Sequence, residues 1–174
     1  MNTKRVDNVQ LLEEGGQWVV VLEQTLEHAC EEVWAVLTQA EKIPSWGPFK
    51  PNRDLTETGE VRLTPVGVPE AEEGEGRVME VQAPHVLVFS WGTDVLRWEL
   101  SGEGTATVLT LRHTFTDRKQ AASYAAGWHL CLDGLTGVAA GKDMPSMAGL
   151  NAYKYGWQEL HDRYAEQLGL NSAT

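Results

Sequence analysis

The chain has 174 residues, 42% of them hydrophobic, which is enough to bury one substantial core and too little for two full-sized domains. Fourteen basic against 25 acidic residues leave a formal net charge of -11, which argues against nucleic acid and anionic membrane as partners, because both reward a basic surface. Cys30 and Cys131 have neither paired nor metal-type spacing, so no disulfide framework is expected and a reducing, cytoplasmic setting is.

The run Met1–Gln10 is polar and has no apolar signal core, and no stretch reaches membrane-spanning length. Gln17–Leu26 alternates, with Trp18, Val20 and Leu22 on one side and Gln17, Glu23 and Thr25 on the other, and is predicted as the first strand. Glu27–Thr38 follows with Val33, Trp34 and Leu37 at helical spacing and Glu31 and Glu32 early, where the helix dipole favours acid. A second short helical turn is predicted over Gln39–Ile43. Pro44 breaks it, leaving Trp46–Phe49 as a loop with two large aromatics.

Between Lys50 and Glu75 only Gly59–Val66 reads as a strand, and the acidic run Pro69–Glu75 reads as a solvated hairpin tip. Arg77–Gln82, His85–Trp91, Val95–Ser101 and Thr105–Phe115 then come in close succession. Their turns, at Ala83-Pro84, Gly92–Asp94 and Gly102–Gly104, are short enough to require an antiparallel meander. Asp117 is placed to cap the next turn, with Gln120 reaching back. The long helix that follows carries an apolar stripe of Ala121, Tyr124, Ala125, Trp128, Leu132, Leu135 and Val138. Gly127, Gly134 and Gly137 each weaken such a helix by about 1 kcal/mol relative to alanine, which points to close packing or a bend. Beyond Pro145, Met147–Leu168 is predicted as a terminal helix capped by Ser146. Its aromatics can pack on the chain's own sheet or on a second subunit, so a homodimer is open.

These elements describe one α+β domain over residues 1–174, with a core at about 17–141 and a helical extension at about 145–170. A curved antiparallel sheet wraps around a long C-terminal helix, two short helices follow the first strand, and an extra helix ends the chain.

Alternation puts Trp91 on a face with Leu87 and Phe89, and Trp98 with Leu96 and Leu100, while Trp128 lies on the inward stripe. A sheet gripping a helix leaves room for an aromatic-lined cavity, with core packing the competing account of any single ring. The expected lining is Trp46, Phe49, Met79, Trp91, Trp98, His113, Tyr124, Trp128 and Leu132, with His113 and the Tyr124 hydroxyl orienting an apolar or aromatic small molecule. His113 shares its face with Leu109, Leu111 and Phe115. It requires a buried partner and is the only catalytic candidate. His129 and Asp133 are one helical turn apart, and Cys131 borders the stripe as core. These residues lack compact ligand spacing, so neither metal nor cofactor is expected. Gly74-Glu75-Gly76 and Gly102-Glu103-Gly104 read as hairpin turns rather than phosphate loops, and no Gly-x-Ser-x-Gly elbow occurs.

Taken together, Glu32-Val33-Trp34, Ile43-x-x-Trp46, Gly76-x-Val78-x-Glu80-Val81-x-x-Pro84, Val88-Phe89-x-Trp91, Trp98-Glu99-Leu100, Gly104-Thr105 before Leu109-Thr110-Leu111-x-His113, and Gly127-Trp128-x-x-x-Leu132-x-x-Leu135 resemble the SRPBCC (START-like, Bet v 1-like) superfamily. The similarity is greatest to its AHSA1 branch, named for homology to the activator of Hsp90 ATPase, and runs from Gln17 to about Gly141. The resemblance implies a helix-grip fold with a cavity between sheet and long helix. It also implies a range of functions: carriers and receptors of apolar small molecules, cyclase- or hydrolase-type enzymes, and a co-chaperone partnered by an Hsp90-type chaperone. The eukaryotic co-chaperone works with an additional N-terminal domain, for which this length leaves no room.

Overall fold

In the computed structural model, which describes residues 8–102 and 104–170, the alternating segments form one antiparallel sheet of eight strands. They are β1 (Asn8–Glu14), β2 (Gln17–Leu26), β3 (Phe49–Pro51), β4 (Gly59–Pro65), β5 (Gly74–Gln82), β6 (Val86–Trp91), β7 (Asp94–Ser101) and β8 (Thr107–Phe115). Across the curved sheet the order is β1-β2-β8-β7-β6-β5-β4-β3, so the end of the meander returns to pair with β2. Three α-helices accompany it, α1 (Cys30–Thr38), α2 (Ala121–Ala139) and α3 (Trp157–Gln167), with 3-10 turns at Ile43–Ser45, Arg118–Gln120 and Gly149–Tyr155. Among the described residues no helix is long and apolar enough to cross a membrane.

The inward face of the sheet follows the alternation. Along β8, Leu109, Leu111, His113 and Phe115 are all within 1% of complete burial. Each such apolar side chain stabilises the fold by about 1.5–3 kcal/mol relative to exposure. The Gln24 amide reaches from β2 across the core to the Leu132 carbonyl and the Thr136 hydroxyl, pinning α2 to the sheet. Two helix glycines accommodate close neighbours: a Cβ on Gly134 would lie 3.2 Å from the Trp46 Cβ, and one on Gly137 would meet Met144.

Several boundaries differ from the sequence expectation. A strand, β1, precedes the one predicted as first. Its hairpin with β2 turns on Gly15 and Gly16, both at positive φ, and its apolar content is sparse, with Val9 alone fully buried. Met1–Asp7 of the N-terminal run, and Glu103 in the Gly102–Gly104 turn, lie outside the described residues. The first helix begins at Cys30 rather than Glu27, where the Ala29 N–H donates to the Glu32 carboxylate. The turn after it contains Pro44 instead of ending before it, because a first-turn N–H has no helical acceptor to lose. β5 starts at Gly74, earlier than Arg77. The terminal segment is two pieces, a 3-10 turn and α3, separated by Gly156 at φ 86, a left-handed position that interrupts any continuous helix. Asp117 accepts from the Lys119 N–H as expected of a cap, and Ser146 Oγ accepts from Ala148 N–H.

Candidate functional site

His113 is the centre of a buried polar chain. Its ring is 0% exposed, with Trp128 Nε1 at 2.9 Å from Nδ1 and Asp94 Oδ2 at 2.8 Å from Nε2. An indole N–H only donates, so Nδ1 accepts, and the ring proton sits on Nε2 and is donated to Asp94. Asp94 is the first residue of β7 and the cross-strand partner of Trp91. The Tyr124 ring stacks on His113 at 4.2 Å, beside the same carboxylate. Burial, then the charge of Asp94, push the Tyr124 phenol above its ordinary range. With both imidazole nitrogens engaged, this arrangement fixes the orientation of Trp128 and Tyr124.

Around this chain the rings pack edge to face. Trp46 meets Trp98 at 5.8 Å, Trp98 meets Trp128 at 5.5 Å, Trp128 meets Trp91 at 6.0 Å, and Trp91 meets Phe49 at 5.0 Å. Such pairs add about 0.5–1.5 kcal/mol each beyond area burial. The Trp46 indole donates to the Val36 carbonyl at 3.0 Å, fixing the loop after α1. This cluster occupies the deep space between sheet and α2.

A cavity of about 320 Å³ adjoins it at Trp91 and Trp128, between α2 and residues 147–157. Of the nine residues expected to line a cavity, Trp91, Tyr124 and Trp128 border this one. Trp46, Phe49, Trp98, His113 and Leu132 are buried in the core beside it. Met79 is brought to neither place, being 44% exposed. Val78 takes the inward position opposite Phe89, and the register shifts between Val78 and Glu80, so Met79 becomes the extra residue of a bulge.

The rest of the wall was not anticipated. Pro48 and Val68, Ser123, Gly127 and Cys131 of α2, and Met147–Leu150, Ala152, Tyr153 and Trp157 complete the border. Tyr153 and Trp157 form an edge-to-face pair at 5.3 Å. The rim is apolar and open, with Val68 46%, Leu150 58% and Tyr153 61% exposed. Burial pushes the Cys131 thiol up to about 12, so it stands there as a neutral apolar group.

On the opposite side of α2, His129 is buried, because α3 covers it. Its Nδ1 lies 2.8 Å from the Tyr164 hydroxyl. A second groove opens there, in which His129, Asp133, Glu159, Asp162 and Arg163 lie among apolar neighbours such as Leu130 and Leu160. Among the described residues no group of three or more His, Cys, Asp or Glu side chains is arranged to hold a metal ion.

Residues 27–140 match the family described as activator of Hsp90 ATPase homolog 1-like protein. No curated protein matches the chain. Among solved structures, it is similar to a conserved protein of unknown function from Enterococcus faecalis, with 17% identity, 95% of this chain and 93% of that one covered, and a TM-score of 0.74. It is also similar to CalU16 from Micromonospora echinospora in solution, with 19% identity, 97% and 96% covered, and a TM-score of 0.70. DynU16, a protein in the dynemicin biosynthetic locus, matches at 21% identity with a TM-score of 0.62, over 75% of this chain and 51% of its own. At these identities the likeness speaks for the fold. The family match spans most of the chain, taking in α1, β3 to β8 and α2, and the chain belongs to the activator of Hsp90 ATPase homolog 1-like family of SRPBCC helix-grip proteins.

Proposed function

We propose that the protein binds an apolar or aromatic small molecule in the cavity between α2 and residues 147–157. The observation that carries this reading is a concave, mainly apolar space of about 320 Å³ bordered by the rings of Trp91, Tyr124, Trp128 and Trp157, with Trp128 and Tyr124 held in place by the His113–Asp94 chain. The volume is at the lower end of the range for ligand pockets, which suits a compact molecule better than a long acyl chain. His113 acts through Trp128 and Tyr124, as a positioning residue.

The test is native mass spectrometry of the purified protein, followed by a thermal-shift and tryptophan-fluorescence screen of apolar and aromatic metabolites. A ligand at a hundred times its Kd stabilises the folded state by about 2.7 kcal/mol. A hit is expected to lose its effect in Tyr153→Ala, a change at a 61% exposed position that leaves the core untouched. Hits that bind Tyr153→Ala as well as wild type would place the ligand elsewhere. A second reading, a protein-binding module of the co-chaperone kind, draws on the exposed rim of Val68, Leu150 and Tyr153. A screen without hits, together with a chaperone recovered through that rim and lost in Leu150→Glu, would favour it.

A further inference from the structure

α2 carries three glycines within its length, and packing accounts for two of them. A Cβ on Gly134 would press on Trp46, and one on Gly137 would run into the Met144 side chain. Gly127 is different: a Cβ there would meet nothing within 4 Å, and the residue borders the cavity. An interior helical glycine weakens the helix relative to alanine, and here no neighbour requires it. What the missing side chain leaves free is cavity space. Ser123 and Cys131, one turn before and after, and the adjacent Trp128 border the same space, so the bare backbone of Gly127 leaves an open floor there.

Charge narrows the ligand further. Among the described residues that border the cavity none is charged, and the polar side chains are the hydroxyls of Ser123, Tyr124 and Tyr153, a thiol and indoles. An ionised ligand would give up its hydration without meeting a counter-charge. We infer that the cavity takes a neutral, planar aromatic molecule bearing a hydroxyl or carbonyl group, seated on the backbone of Gly127, and that Gly127 sets the size admitted. This rests on the small-molecule reading above and adds the ligand's charge, shape and seat.

The experiment is isothermal titration of the full chain with naphthol and with naphthoate, its charged counterpart, in wild type, Gly127→Ala and Gly127→Leu, with a thermal midpoint for each. Wild type is expected to bind naphthol saturably and naphthoate at least about tenfold more weakly. Gly127→Ala raises the midpoint by about 2–4 °C through helix propensity. The same variant weakens naphthol about tenfold, the ordinary effect of a methyl group forced into a filled contact. Gly127→Leu abolishes binding. A stabilised Gly127→Ala that binds naphthol like wild type overturns the assignment of Gly127. Naphthoate bound as tightly as naphthol overturns the assignment of charge. A lowered midpoint in Gly127→Ala means the methyl meets packed atoms, and overturns the open floor. No saturable binding of naphthol to wild type overturns the planar aromatic ligand, whereas the small-molecule reading itself falls only with the metabolite screen, so the two failures are distinct.

Discussion

The Trp128 indole has one hydrogen to give, and giving it to His113 Nδ1 settles where the imidazole proton resides and therefore what Asp94 receives. The three groups act as one unit, and removing any of them leaves a buried partner unsatisfied. Trp128→Phe removes the donor and part of a ring packed against Trp91 and Trp98, and is expected to lower stability by about 2–4 kcal/mol in denaturant unfolding. Combined with His113→Phe in a double-mutant cycle, it should show a coupling of about 1–2 kcal/mol. Strict additivity of the two changes would show that the bond contributes nothing of its own. That His113 faces inward was readable from the alternation of β8. That Asp94 receives its proton was not, because Asp94 looks like a turn residue and meets His113 only through the register of β7 on β8, in which Leu96 lies opposite His113.

At the scale of elements, the contact between α2 and α3 turns on Tyr164. Burial pushes its phenol up to about 12, with Arg163 opposing and Asp133 reinforcing the shift. In the unfolded chain the phenol ionises near its ordinary value of 10.0, so the folded state holds the proton more tightly. The stabilisation that follows is complete below pH 10 and is lost as pH rises toward 12. Tyr164→Phe lacks this contribution and the hydrogen bond to His129, and is expected to be less stable at neutral pH by about 1 kcal/mol. Following the denaturant midpoints of both proteins upward in pH should show the gap closing between pH 10 and 12. A gap that stays constant would mean that Tyr164 ionises no differently in the fold. The helix pair also shows the limits of pattern reading. Leu150, Tyr153, Trp157, Leu160 and Tyr164 keep helical spacing across Gly156, yet the left-handed glycine divides them, sending Tyr153 to the cavity rim and Tyr164 to α2. β1 was missed for the opposite reason: an edge strand paired on one side needs few apolar residues, and Asn8–Glu14 has few.

For the whole molecule, the meander and the long helix were legible because their connections are short and their periods regular. The cavity was not, because its outer wall comes from Met147–Trp157, which doubles back over α2, and no periodicity tells whether a terminal segment covers its own grip or a neighbour's. Electrostatics at this scale separates the fold from the site. Twenty-five acidic residues against 14 basic ones leave an excess of 11 carboxylates. Surface pairs such as Arg112–Glu14 and Arg97–Glu99 contribute about 0–1 kcal/mol each, so repulsion among the remaining acids outweighs them. Raising ionic strength from about 0.01 M to about 0.15 M shortens the screening length from about 30 Å to about 8 Å and should raise the thermal midpoint. Binding of naphthol should not follow: with no charged side chain among the described residues at the cavity wall, its Kd should stay within about twofold over the same range. A Kd that climbs steeply with salt would mean that charge drives recognition, and the cavity would then have to be read as the uncharged centre of a larger, charged interface.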